Sequence, residues 1–574
     1  MEKRLDAALV GLGWPGQVKA RHGAGESDAM REVREAMVAL LLLQHAAAAA
    51  GGGGDGGLWV LDRLVAPLLK RFRFHFETRR ETNRRDKPEW VYSHCASLLR
   101  QHGAFLAESL QPVLLAPLPR LAALWVDAAA AAEERQAYVR LVGALCPQGV
   151  YLTVVGALCD AIHAKLMREM RGLLAHMPLY AHTLNETISF ERELRATLKV
   201  PRYVPTALRA FHASADSLKL WLSVEASDGL AKLQQLAGST RAWDSPGGEA
   251  ADGGLRAPSC VVGAMKHLRH LVGRLELIDD AGALRRMLDE VMLPLLDQLL
   301  SHVRARAAVL MVNEHQAGRW VEVGRLLHAV DFCSPLLADW QEWEMFVLLA
   351  PPLPRAAGGE AAAAGVFARQ LAELHELALE LEAHAHETIQ SHFETRCRPY
   401  VQERHRLRID APREAAVSLD VSPSFCAPIL ELRGELDGLR AAFPPPSLGR
   451  AWQAIAAGID EMLAAQLLRH AHFSADGALQ LRHDVHALLA LFKPLTAKPH
   501  AAFPRLHESC LALTLAPTRR AQLMELLLAA PTDALDVEDA AAGQLTAALE
   551  AEGIFHLKPT EIRELLSRVH GGED

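Results

Sequence analysis

From Phe367 onward, apolar side chains recur at Leu371, Leu374, Ala378, Leu381, Ala385, Ile389 and Phe393. Steps of three and four residues place all of them on one face of an α-helix. Glu373, Glu376, Glu380 and Glu387 take the opposite, solvated face. At about 1.5 Å per residue, a helix of about thirty residues extends roughly 45 Å. A second series runs through Leu284, Met287, Leu288, Val291, Leu295, Leu299 and Val303, with Pro294 inside it, where a kink is expected. A last helix should start at Pro559 and continue through Ile562, Leu565, Leu566 and Val569. No run alternates with period two for long. Composition agrees: Ala, Leu and Arg dominate, while the 574 residues include only 6 Tyr and 10 Trp. Helix formers are abundant and strand formers scarce. The fold class expected is all-α. With 50% apolar residues the chain is no disordered polymer, and at about 150 residues per domain it should form three or four packed units.

Four soft stretches interrupt the helical pattern: Ala46–Gly57, Ser245–Pro258, Pro351–Gly365 and Phe443–Ser447. Gly and Pro clusters of this kind end helices and bound subdomains. They separate a short N-terminal segment, 1–57, from a helical region, 58–570, with sub-bundles near 58–245, 258–350, 366–440 and 448–570. Long helices with short breaks imply stacked bundles and an elongated rod. The apolar run Ala36–Ala50 is interrupted by Gln44 and His45. It falls short of the roughly 18–20 residues of a spanning helix and reads as a core helix, so any membrane association should be peripheral. Met1–Asp6 is charged, unlike a secretory leader. The net charge of −8 and isoelectric point near 6.4 give no general basic field for nucleic acid and suit a cytosolic protein with protein partners. Eight cysteines without close pairs read as buried, reduced thiols rather than zinc ligands or disulfides.

Gly11-Leu12-Gly13-Trp14-Pro15-Gly16 has the spacing of a dinucleotide-binding turn. That site needs a preceding strand, and Pro15 removes an N–H from the phosphate cradle, so a plain turn is expected. The pairs His375-Glu376, His386-Glu387 and His507-Glu508 lack the second His four residues on, which holds Leu379, Gln390 or Leu511. Asn185, Ser189 and Glu193 share a helix face, as oxygen ligands of magnesium do in all-α terpene cyclases. An upstream acidic helix is missing, since Asp279-Asp280 lies downstream and ends at Ala283. Neither G-x-S-x-G nor G-x-x-x-x-G-K-[ST] occurs. No catalytic, cofactor or metal residue is assigned, and the chain is not expected to be an enzyme.

The most charged stretch lies between Lys70 and Lys87. Lys70, Arg71, Arg73, Arg79, Arg80, Arg84, Arg85 and Lys87 face only Glu77, Glu81 and Asp86, a local excess of +5, with Phe72, Phe74 and Phe76 interleaved. One reading is a docking face for an acidic partner or anionic membrane. The other, favoured by the partial neutralisation, is a solvated loop whose phenylalanines enter the core.

This stretch also opens a family resemblance. Phe74, His75 and Phe76, then Thr82 and Asn83, then Asp86-Lys87-Pro88-Glu89-Trp90, His102, Phe105, Leu106, Gln111 and Pro112 resemble the start of the conserved region of the RINT/TIP family of vesicle tethers, which includes the plant MAIGO-type proteins. Leu184–Arg195 (LNETISFERELR) is similar to a further family segment, with Glu191 where the pattern has Asp. Leu336–Leu349, His472–Phe492 with its F-x-x-x-G-A-x-Q-L-x-x-D signature, and Glu552–Val569 follow in family order.

The resemblance implies the helical-rod (CATCHR-type) fold of tethering complexes. It implies a subunit of the Dsl/NRZ complex, peripheral on the cytoplasmic face of the endoplasmic reticulum. Such subunits capture Golgi-derived COPI vesicles, bind ER SNAREs and pair with a zeste-white-type subunit, without nucleic acid or cofactor. A checkpoint scaffold role is attached to some relatives. Only about 57 residues precede the conserved region, with Leu12–Pro15 as the tail of an N-terminal pairing segment, so that segment is expected to be truncated. No spacing rule identifies the SNARE-binding face.

Overall fold

The structure is a computed structural model, which describes residues 1–18, 21–22, 25–51, 57–124, 126–245, 256–312, 318–350, 365–408, 420–529 and 540–569. The low-complexity centres at 52–56, 246–255 and 351–364 lie outside the described residues. The described residues are helical apart from loops, one two-residue antiparallel ladder, β1 (Arg21–His22) with β2 (Gly25–Glu26), and an isolated bridge. The chain condenses into two units, the first Met1–Ala231 with His267–Leu295, the second Lys232–Lys266 with Leu296–Asp574.

In the first unit stand α1 (Glu2–Leu12), α2 (Asp28–Ala49), α3 (Trp59–Phe76), α4 (Glu89–Ala104), α5 (Leu118–Ala123), α6 (Ala128–Leu145), α7 (Gly149–Leu174), α8 (Met177–Ala196), α9 (Arg209–His212), most of α10 (Ala215–Ala237), part of α11 (Ser259–Leu275) and α12 (Ala281–Met287). Within this unit α1 packs on α2 and α3. The G-x-G-x-x-G spacing is a helix stop. Gly13 closes α1 in the left-handed region at φ 89°, and a Cβ there would collide with the Gln17 carbonyl. Trp14 behind it is buried, and its indole N–H donates to the Leu64 carbonyl at 2.9 Å. Ala36–Ala50 is the second half of a core helix, as its pattern suggested.

Ala128–Leu174, not Ala36–Ala50, is the segment whose length and composition would cross a membrane. In the fold it is two helices broken at 146–148, and α7 sets Val154, Val155, Leu158, Ile162 and Leu166 against α3, α4 and α8. Burial of such a branched face, at roughly 25 cal/mol per Å² of apolar surface, is what anchors α7.

The second unit contains α13 (Leu293–Val312), α14 (Arg319–Gln341), α15 (Glu344–Leu349), α16 (Ala368–Gln402), α17 (Pro423–Ala442), α18 (Pro445–Leu463), α19 (Ala475–Leu491), α20 (Pro504–Leu513), α21 (Pro517–Ala529), α22 (Ala540–Ala551) and α23 (Pro559–Leu566), the first three residues of α13 belonging to the first unit. The long periodic helix is α16, 35 residues, packed against α14, α17 and α18. Leu374, Ala378, Leu381, Ala385, Ile389 and Phe393 are buried, and Leu371 is half-buried. Around Pro294 the turn Leu288–Met292 widens to π geometry, which joins α12 to α13 where a proline ring would strike the Glu290 carbonyl. The last helix stops at Leu566, short of Val569. Phe473 N–H donates to the Arg568 carbonyl instead, in a bridge that draws the chain out of helical geometry.

All eight cysteines are free, and all but Cys426 are buried.

Candidate functional site

The family-like motifs resolve into joints, where a polar side chain of one element satisfies backbone groups left open at the end of another. The Thr82-Asn83 pair folds residues 77–88 back onto α3. Thr82 Oγ1 donates to the His75 carbonyl at 2.7 Å and Asn83 Nδ2 to the Thr78 carbonyl at 3.0 Å. Lys165, buried on α7, completes the turn by donating to the Phe76 carbonyl at 3.0 Å, Asn83 Oδ1 at 2.8 Å and Glu169 at 2.7 Å. A cation at the end of α3 also meets the negative pole of that helix. Pro88 and Glu89 start α4. His102 and Phe105 flank the Trp14 ring, and His102 lies 3.2 Å from the Pro15 carbonyl. Gln111 Oε1 accepts from Val150 N–H at 2.6 Å at the start of α7. A Cβ on Gly149 would meet that same Gln111 oxygen at 2.8 Å.

In LNETISFERELR buried Glu191 and half-buried Arg195 hold the loop that follows α8. Glu191 accepts from Leu208 N–H, and Arg195 donates to the Val200, Pro201 and Val204 carbonyls. Burial pushes the Glu191 carboxyl up to about 7, against the pull of Thr206, Arg195 and the Leu208 and Ala207 N–H groups. The C-terminal signature is a second joint. Ser474 caps α19 through Gly477 N–H at 3.0 Å and binds the Leu407 carbonyl through its own N–H at 2.9 Å. Gly477 is obligatory, since a Cβ would overlap the Leu407 backbone. Asp484, fully buried, accepts from Tyr400 O–H at 2.9 Å, Ser422 N–H at 2.8 Å, Ser422 O–H at 2.6 Å and Gln480 at 3.1 Å.

Two further joints carry no sequence signal, because their partners lie more than forty residues away. Asp460 on α18 accepts from Arg505 and Leu506 N–H at 3.1 and 2.9 Å at the start of α20, and its carboxyl is pushed up to about 6 by burial. Glu508 accepts from His556 and Leu557 N–H. Burial would raise its carboxyl, but the His556 ring and these N–H groups outweigh it and hold it low. A buried Asp or Glu at such a spacing reads in sequence like any surface acid.

The enzyme-like decoys fall apart. Asn185 and Ser189 are exposed, with Ser189 O–H turned back to the Asn185 carbonyl, and Glu193 pairs with Arg100 at 3.0 Å. Asp279 pairs with His212 at 3.2 Å, and Asp280 caps α12. Among the described residues no three His, Cys, Asp or Glu side chains gather as a metal site would require.

The basic run divides. Lys70 to Phe76 belong to α3, not to a loop, and only 77–88 is non-helical. Phe72 and Phe76 enter the core, as the bland reading expected, but Phe74 is 47% exposed and the Arg80 guanidinium covers its ring at 4.3 Å. The run's acids are largely engaged: Glu77 by Arg168 at 2.5 Å and Asp86 by Arg84. Beside it a shallow cleft is lined by Arg84, Arg85, Pro88, Val91, Ile162 and Leu166, together with Tyr92, Lys165, Glu169 and Thr183.

With 13% identity, the fold matches a chain in the crystal structure of the SNARE Sec20 bound to the Dsl1 complex subunit Tip20, at a TM-score of 0.66 over 99% of this chain and 89% of that one. The all-α, CATCHR-type fold expected from the sequence is thereby shared with Tip20. A RINT1-like protein of Drosophila melanogaster is 25% identical over 470 residues, and the RINT1-like protein MAG2 of Arabidopsis thaliana is 20% identical over 480. The alignments take in 82% and 79% of this chain but 59% and 57% of the relatives, so the chain spans just under three fifths of their length. The model of the RINT-1/TIP-1 family matches residues 59–569, and the chain belongs to that family.

Proposed function

We propose that this protein is a subunit of a membrane-tethering complex and binds a SNARE directly. The observation that carries the reading is the match of 99% of the chain to a fold crystallised as the SNARE Sec20 bound to the Dsl1 complex subunit Tip20. The use of the buried polar groups supports it. Lys165, Glu191, Asp460, Asp484 and Glu508 are consumed in fixing backbone, which suits a scaffold that presents surfaces rather than one that makes bonds. The finer reading is a non-enzymatic tether on the cytoplasmic face of the endoplasmic reticulum, capturing Golgi-derived COPI vesicles with partner tether subunits of the Dsl/NRZ type. The division into sub-bundles near 58–245, 258–350, 366–440 and 448–570 belongs to the same proposal.

Affinity capture of the full chain from solubilised ER membranes, read by mass spectrometry, tests this. Recovery of an ER SNARE together with tether subunits is expected. Recovery of neither, with the chain folded and bound to the resin, overturns it.

A further inference from the structure

We propose that the C-terminal half of α3, residues 77–88 and the adjoining end of α7 form a docking face for an acidic protein segment that carries an apolar side chain between its carboxylates. The inference stands on this face alone and does not need the tether reading. Six exposed cations, Lys70, Arg71, Arg73, Arg79, Arg80 and Arg85, form no ion pair with a described residue. Lys70, Arg73 and Phe74 are neighbours on one face of α3 by their spacing of three and four. Thr78 and Thr82 fold the following loop back over that end of the helix, which brings Arg80 onto Phe74. Arg85 crosses to α7, where a Cβ on Gly172 would stand 3.2 Å from its Nη1. The result is one strip of positive charge on a chain whose net charge is −8, so the field there runs against that of the molecule.

The shape selects among anionic partners. The cleft beside the strip is lined by Arg84 and Arg85, by the apolar Pro88, Val91, Ile162 and Leu166, and by Lys165 and Glu169, whose charges pair with each other at 2.7 Å. It is too shallow for a cofactor of ordinary size and offers a small recess to the tip of an apolar side chain. An acidic segment with one apolar residue would place carboxylates on the arginines and its apolar group in the cleft. A membrane surface calls for the reverse relief, with aromatic groups free to protrude. Here Phe74 lies beneath Arg80, and the apolar walls are recessed.

The test uses the full chain and a labelled peptide of about twelve residues, Glu and Asp flanking a central Leu-Phe pair, by fluorescence anisotropy. Binding should weaken several-fold as salt rises through about 0.15 M, where the screening length is near 8 Å. Replacing Leu-Phe by Ser-Ser should also weaken it several-fold. The triple reversal Arg73→Glu, Arg80→Glu, Arg85→Glu should lower affinity at least about tenfold, while the matched reversal Lys219→Glu, Lys232→Glu, Lys266→Glu leaves it unchanged. If the first triple shifts the unfolding midpoint, Arg79→Gln with Arg85→Gln should still lower affinity several-fold. No peptide binding overturns the proposal, as does equal loss in both triples. Retention on phosphatidylserine vesicles without peptide binding would assign the face to a membrane and overturn it equally.

Discussion

Gly477 stands where the start of α19 meets the Leu407 carbonyl, with no space for a methyl group. Gly477→Ala must push α19 away from the turn Glu403–Arg408 that follows α16, and overpacking of this kind should cost about 3 kcal/mol in urea unfolding. Glu191 gives a prediction with a definite sign. Its folded carboxyl titrates at about 7, above the ordinary value of 4.5. Between those values the folded state holds a proton that the unfolded state has released, so stability falls as pH rises from 4.5 through 7. Glu191→Gln keeps an oxygen for the Leu208 N–H and removes the titration. The variant should gain on the wild type as pH rises, by an amount on the order of a few kcal/mol at pH 8. Parallel unfolding curves at pH 5 and pH 8 check it, and an unchanged difference between the two proteins would contradict it. The sequence marked Glu191 as an odd member of a family-like segment. It could not mark it as buried, because the loop it holds is defined by the fold.

At the scale of elements, local periodicity carried far. The α16 stripe and the start of α23 at Pro559 follow from spacing and proline chemistry alone, and so did the disturbance at Pro294. What escaped depends on remote partners. Val569 continues an apolar helical pattern, yet the bridge to Phe473, 96 positions away, takes that segment. The basic run reads as a loop by composition, but α3 extends through Phe76 because Phe72 and Phe76 find a core and Lys165 closes its end. Lys165→Met should therefore loosen one joint. The Phe76 carbonyl and Asn83 lose their buried donor, at a cost of about 2 kcal/mol. Hydrogen exchange should speed up at residues 77–88 and the last turn of α3 while α16 keeps its protection. Equal acceleration across both units would show that the joint is not local.

For the molecule as a whole, the class of protein was legible and the working surface was not. Helical periodicity, missing nucleotide and hydrolase motifs, and the ordered segments from Phe74 to Val569 pointed to an all-α scaffold of a tether family. Those segments turn out to hold helices together, so they identify the fold while leaving partner contacts unlabelled. Phe74 and the arginines around it show the difference. The sequence offered a choice between core and docking face, and the structure sends Phe72 and Phe76 one way and leaves Phe74 at 47% exposure. The central claim, that this scaffold engages a SNARE directly, is tested most simply by gel filtration of the purified full chain with the cytoplasmic domain of a Sec20-type SNARE. Co-elution as a stoichiometric complex at micromolar concentration is predicted, and separate elution of two folded proteins would contradict it.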